Sequence, residues 1–286
     1  MKHPVKGIDH CFALVDDLQE AAAQYSALGF TLSPMGVHSE AKGSANYTIM
    51  FPNDYFELLG MIKPTELNAF RRKMLENMGQ GLHAIACRIG NAAEAAAALG
   101  ELGIPTRDLN SFSRPVPLPD GSEGVAAFST VSFTPGDTPL GSVFMCEHKT
   151  RETVWIPELL DHANGACGLG AILAISNDPK ADAERFARLW AEGKVSETDG
   201  AVTVETGPNS APLILMTHES ISSAYPGADL SKTAKGAFTV LRVKTSNMDS
   251  AMSCLATAGI EPIKTASGIA AGPEHAAGLI LEFVPE

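Results

Sequence analysis

Ile8-Asp9-His10-Cys11-Phe12-Ala13-Leu14-Val15, then Asp16-Asp17, the run from Leu18 to Leu28 and Gly29-Phe30, is the stretch on which the fold turns. Its first eight residues are β-rich, and the run after the two aspartates is helical until the glycine stops it. The same syntax returns at Leu82 to Ile89, where Asn91 can cap an alanine-rich helix that stops at Leu102-Gly103-Ile104. It returns again at Leu169 to Ser176, with Asn177-Asp178-Pro179 as cap and a helix to about Ala191. A last copy opens at Phe238 to Lys244, with Asn247 and a helix to Ala258-Gly259-Ile260. The openings lie near positions 10, 83, 170 and 239, in steps of 73, 87 and 69 residues. Each step has room for a strand, a helix and three more strands, and is far too long for a solenoid repeat.

After each helix the pattern becomes extended, as in Asn46 to Phe51 and Tyr55 to Gly60, which Pro52-Asn53-Asp54 joins as a turn. The expected fold is therefore α+β, four βαβββ modules paired into cupped mixed sheets with helices on the outer faces. The polar, glycine-containing segment Asp161 to Gly168 is the expected linker, which divides the chain into residues 1–164 and 165–286. Ser111 to Gly124, with Pro115, Pro117 and Pro119, reads as a long loop able to act as a lid. Leu67, Phe70, Met74, Leu75 and Met78 form an apolar stripe at helical spacing within Glu66 to Gln80, expected to serve packing.

Composition narrows the function. Among 286 residues, 33 Asp and Glu outweigh 21 Lys and Arg, and the resulting field repels a phosphate backbone or an anionic membrane. Neither nucleic acid nor membrane is expected as a partner. The first residues carry no apolar run of signal-peptide type, so a cytoplasmic location is expected. The five cysteines form no CxxC pair and read as buried small hydrophobes.

The opening strand of each front module carries a histidine, His10 and His83, and the closing strand carries a glutamate, Glu57 and Glu147. Two imidazoles and two carboxylates converging in a concave sheet suit a borderline divalent ion with open coordination positions. The expected cofactor is one such ion: Zn, Ni, Fe or Mn. The rear modules offer Leu169, Gly170 or Ala171 and Thr239 where the histidines would be, so no ion is expected there. His38, Asn46 and Arg114 are candidates to orient an oxygen-rich substrate.

Ile8-Asp9-His10, Gly43-Ser44-Ala45-Asn46 and Tyr55-Phe56-Glu57-Leu58-Leu59 resemble the "LDH", "GTxN" and "YxELL" segments of glyoxalase-like members of the vicinal-oxygen-chelate superfamily. Glu147-His148-Lys149-Thr150-Arg151-Glu152, continuing to Trp155 and His162-Ala163-Asn164, is similar to a later segment of that group. The resemblance implies that two modules form one cup and that the metal ligands come from the first and fourth strands, here His10, Glu57, His83 and Glu147. Successive strand residues face opposite sides, so only one of Glu147 and His148 enters the cup. Glu147 is the expected ligand, because a glutamate on the helix side would need a partner, whereas a strand end exposes His148 harmlessly.

The function implied is that of a metal-dependent lyase or isomerase. The ion binds two neighbouring oxygens of a small substrate and stabilises a developing enolate, and Glu57 or Glu147 shuttles the proton. Alternatives are an extradiol-type ring-cleaving dioxygenase, which the resemblance would site in the rear pair, and a small-molecule binding or resistance protein. Whether modules pair within one chain or across a homodimer is left open.

Overall fold

The computed structural model describes residues 2–119 and 121–286. Its first unit is β1 (Ile8–Val15), α1 (Leu18–Ala27), β2 (Gly36–Val37), β3 (Ser44–Met50) and β4 (Tyr55–Met61). After α2 (Ala69–Met78) come β5 (Gly81–Arg88), α3 (Ala92–Glu101), β6 (Thr106–Pro117), β7 (Glu123–Phe133) and β8 (Ser142–His148). The rear half repeats the scheme with β9 (Ala166–Ile175), α4 (Pro179–Ala187), β10 (Val195–Thr198), β11 (Ala201–Val204) and β12 (Leu213–Met216). Then follow α5 (His218–Ala224), β13 (Val240–Thr245), α6 (Met248–Thr257), β14 (Ile263–Lys264), β15 (Ile269–Ala271) and β16 (Ile280–Pro285). An acidic or amide side chain caps each crossover helix: Asp17 for α1, Asn91 for α3, Asp178 for α4 and Asn247 for α6. Each accepts hydrogen bonds from backbone N–H groups that the first helical turn leaves free.

Two eight-stranded mixed sheets result, ordered β2-β3-β4-β1-β5-β8-β7-β6 and β10-β11-β12-β9-β13-β16-β15-β14. Within each unit the first strand runs parallel to the fourth, and the two first strands, β1 with β5 and β9 with β13, meet antiparallel. One apolar core joins the helix-side faces of both sheets, with Tyr25 and Phe30 of the front half against Ala276 and Phe283 of the rear. The four crossover helices α1, α3, α4 and α6 therefore lie on the convex faces, and the concave faces hold separate small clusters.

Three expectations change. The proline-rich segment is not a loop over most of its length: β6 pairs with β7 from Asn110 to Pro117, with Pro115 opposite Val125. Prolines are tolerated because β6 is an edge strand, where the missing N–H costs no ladder bond. Asp120, within the same expected loop, lies outside the described residues. The stripe on α2 does not pack as a whole. Met74 and Leu75 meet the front concave cluster, whereas Leu67 and Phe70 are 70% and 67% exposed. The expected linker is a staple. His162 accepts from the Thr31 N–H and donates to the Met50 carbonyl, and Asn164 donates to the Leu28 carbonyl, so these two polar residues are buried and satisfied. No helix among the described residues is long and apolar enough to cross a membrane.

Candidate functional site

The front concave face gathers Asp9, His10, Asn46, Tyr55, Glu57 and His148. In β4, Tyr55 stacks on the His10 ring at 4.2 Å and Leu59 joins Phe12, Leu14 and Ala84 on the concave side, while Phe56 and Leu58 enter the main core. Glu57 therefore points into the cup. In β8, Val143 and Met145 belong to the main core and Cys146 to a concave cluster, so His148 faces the cup and Glu147 the helices. This is the reverse of the orientation expected from sequence. The glutamate has the partner it needed: Oε2 accepts from the Ala92 N–H at the start of α3, 2.9 Å away.

The bulges explain the rest. In the β1–β5 pairing the register slips at Asp9 in β1 and at His83 in β5, so these two residues correspond between the units, and His10 corresponds to Ala84. Glu57 lies opposite Phe12, and the matching pair in the second unit is Phe144 opposite Ala86. The structure does not bring His83 to His10. His83 Nε2 donates instead to the Gly79 carbonyl at the end of α2, at 2.8 Å.

Asp9 Oδ1 accepts from His10 Nδ1 and from His148 Nε2, each at 2.8 Å, and Asp9 is 1% exposed. Burial alone would raise its carboxyl, but the hydrogen bonds and charges of His10 and His148 outweigh it and hold the group well below the usual carboxylate range. With Nδ1 committed to Asp9, His10 presents Nε2 to Glu57 Oε2 at 4.0 Å, beyond hydrogen-bonding distance. His148 Nδ1 is buried without a partner. Asn46 Nδ2 donates to Glu57 Oε1 at 2.9 Å, and Asn46 Oδ1 is again buried and unpartnered. Trp155 closes one wall, edge-on to His148 at 4.9 Å and to Tyr55 at 5.5 Å, its indole N–H donated to the Phe51 carbonyl and Arg151 stacked on its ring.

Asp9, His10 and His148 offer ligand atoms within 4.8 Å of one another. Two imidazoles and an ionised carboxylate, with a second carboxylate across from His10, fit a borderline divalent ion, and the buried, unpartnered His148 Nδ1 is a donor left free for one. Of the expected ligands His10 and Glu57 are here, and His148 and Asp9 stand in place of Glu147 and His83. Asp9 adjoins His10 in the quoted motif, but only a bulge turns two consecutive side chains toward one site, and sequence does not show a bulge. The expected substrate contacts also flank the cup: His38 Nδ1 lies 2.8 Å from Ser44 Oγ, and the Arg114 guanidinium rests against Gly36 beside Asn46.

A pair of βαβββ units curled into a cup with imidazole and carboxylate donors on its concave face defines a vicinal-oxygen-chelate protein. A family profile described as a glyoxalase-like domain matches residues 8–190, and the chain belongs to that family. Among solved structures, a hypothetical protein from Staphylococcus aureus is similar at 13% identity over 98% of this chain and 99% of its own, with a TM-score of 0.68. A mutant 4-hydroxymandelate synthase from Streptomyces coelicolor is similar at 13% identity, covering 99% and 93%, with a TM-score of 0.58. A variant of homoprotocatechuate 2,3-dioxygenase from B. fuscum is similar at 13% identity, covering 100% and 72%, with a TM-score of 0.57. These likenesses establish the fold. No curated protein matches the chain.

Proposed function

We propose that the protein is a metal-dependent enzyme of the lyase or isomerase type, acting on a small oxygen-rich substrate by proton transfer at the carbon beside a carbonyl. Glu57 carries this reading: one carboxylate oxygen is held by Asn46 Nδ2, and the other, 4.0 Å from His10 Nε2, is left to face the cup. A base must be positioned before it is strong enough to matter, and the fixed amide does that positioning. His10, His148 and Asp9 would hold the ion, with Glu57 at its side. When bound, a divalent ion supplies Lewis-acid polarisation to neighbouring substrate oxygens. Asn46 fixes the plane of the Glu57 carboxylate, Tyr55 and Trp155 shield the donors from bulk water, and Glu57 accepts the substrate proton at Oε2 and returns it.

One observation favours a second reading. Asp9, His10 and His148 by themselves make a set of two histidines and one carboxylate, which also suits iron in oxygen-dependent ring cleavage. A proton-exchange experiment separates the two. For the purified protein incubated in deuterated water with small 2-oxo and 2-hydroxy-carbonyl compounds, exchange of the carbon-bound proton is expected. Glu57→Gln should slow it by ~100-fold or more, within the usual range for loss of a general base. Oxygen uptake with catechols, and no exchange with any carbonyl compound, would replace this reading with the second.

A further inference from the structure

The front cup has a charge problem that the proposed chemistry does not resolve. In a chain with 33 acidic and 21 basic residues, three cations from three different elements converge on its mouth: Lys42 from the turn before β3, Arg71 from α2 and Arg114 from β6. None of them forms an ion pair among the described residues. Glu40, the acid next to Lys42 in sequence apart from Ala41, is taken by Lys63 at 2.7 Å. Lys42 Nζ sits 3.2 Å from the centroid of the Phe112 ring, and His38 meets that ring edge-on. The Arg71 guanidinium lies 5.8 Å from the centroid of Phe12, the residue opposite Glu57 in the sheet. Arg114 packs so closely on Gly36 that an added Cβ would lie 2.5 Å both from its Cζ and from Asn46 Oδ1, the unpartnered oxygen.

The electrostatics show one neighbourhood. Burial, then the charges of Lys42, Arg114 and Arg71, push His38 down to about 3, so it stays neutral. Burial and then Arg71 bring the Lys42 ammonium down to about 8. Glu57 is a carboxylate whose field reaches all three cations, and it is single. Three half-buried like charges that share a single counter-charge cost folding energy, which a bound anion would recover. The rear cup is an internal control. There Arg242 Nε donates to Glu282 Oε2 at 2.5 Å, Tyr225 and Thr265 complete the carboxylate's partners, and Ile221 and Tyr225 of the α5 segment fill the space. The rear cation is neutralised internally and its cup is plugged. In the front, α2 occupies the same place in the chain order but has no buried residue, and it carries Arg71.

We propose that Lys42, Arg71 and Arg114 form an anion subsite, so that the substrate is a small carbonyl compound bearing a carboxylate or phosphate group bound at the mouth while its reacting carbon meets Glu57. This rests on the metal-enzyme reading for the reacting end, but the subsite itself can be tested without turnover. Isothermal titration of the purified protein with inorganic phosphate and with malonate should give saturable binding that weakens as salt is raised. Arg71→Met and Arg114→Met should each weaken it by ten-fold or more, whereas Arg71→Lys and Arg114→Lys should retain most of it and report that the fold survives. Preference for phosphate identifies a phosphorylated substrate, and preference for malonate a carboxylate. His10→Ala, which empties the metal site of the proposed function, should leave anion binding intact. Loss of anion binding in His10→Ala but not in the arginine-to-methionine variants would place the anion on the metal and overturn the subsite. Binding of neither anion by the wild-type protein would overturn it equally.

Discussion

Asp9 organises the site because it is one residue out of phase. A bulge at Asp9 lets it and His10 share a side of β1, and the single oxygen that accepts from both imidazoles sets which nitrogens remain free. His148→Ala should therefore weaken metal binding by ten-fold or more, about 1.4 kcal/mol, measured by competition with a chromophoric chelator. Glu147→Ala should leave metal affinity unchanged and cost about 1 kcal/mol of stability through loss of the α3 N-terminal contact. Weakened metal binding in Glu147→Ala with none in His148→Ala would show that β8 takes the opposite orientation in solution.

Between elements, the turn before β4 is tied to β9. Asp54 is buried there, and its Oδ1 accepts from the Leu169 N–H at 3.0 Å. Burial raises its carboxyl to about 6, against the stabilising pull of that hydrogen bond and of Arg88. The folded value lies above the ordinary 3.8, so between these pH values the native protein holds a proton that the unfolded chain has lost. Stability from this group is therefore lost as pH rises from about 4 through 6 and stays lost above that. Asp54→Asn keeps the acceptor and removes the charge. Urea denaturation should show the variant gaining on the wild type between pH 4 and pH 8 by on the order of 3 kcal/mol, because each pH unit separating the folded and unfolded values is worth about 1.4 kcal/mol. A gap that is the same at both pH values would show that Asp54 is exposed in solution. The same scale explains the two connecting helices: α5 and the residue after it bury Ile221 and Tyr225 in the rear cup, whereas α2 leaves Phe70 outside, as the turn before it leaves Leu67. The rear cup is filled by its own chain, whereas α2 gives the front cup only the partly buried Met74 and Leu75.

For the whole molecule, the shared core is the dominant fact. Tyr25, Leu28 and Phe30 of the front half belong to the same apolar cluster as Leu255, Leu279 and Phe283 of the rear. A fragment of residues 1–164 would expose that face and should aggregate, read by size-exclusion chromatography. A monomeric fragment that still binds metal would show the rear pair to be an independent appendage. The rear half, with its neutralised Arg242–Glu282 pair and filled cup, packs on the front half through α6 against α1 and β9 against β4.

The sequence alone determined the repeated strand–helix–strand syntax, because apolar periodicity and Asx caps are local signals: Asp17, Asn91, Asp178 and Asn247 each stand where a helix begins. It also determined that the rear units lack histidine at their opening strands, and it singled out His10 and Glu57, which share one face of neighbouring strands by simple alternation. The choice between Glu147 and His148, and between His83 and Asp9, was made only by tertiary structure. The first depends on which face of β8 meets the helices, and the second on bulged residues that reverse the register, which arise from the pairing of β1 with the distant β5 rather than from either segment. Of the cation trio only Arg114 was expected near a substrate. Lys42 and Arg71 are ordinary surface residues in their own segments, and only the curvature of the sheet and the placement of α2 bring them with Arg114 around one carboxylate.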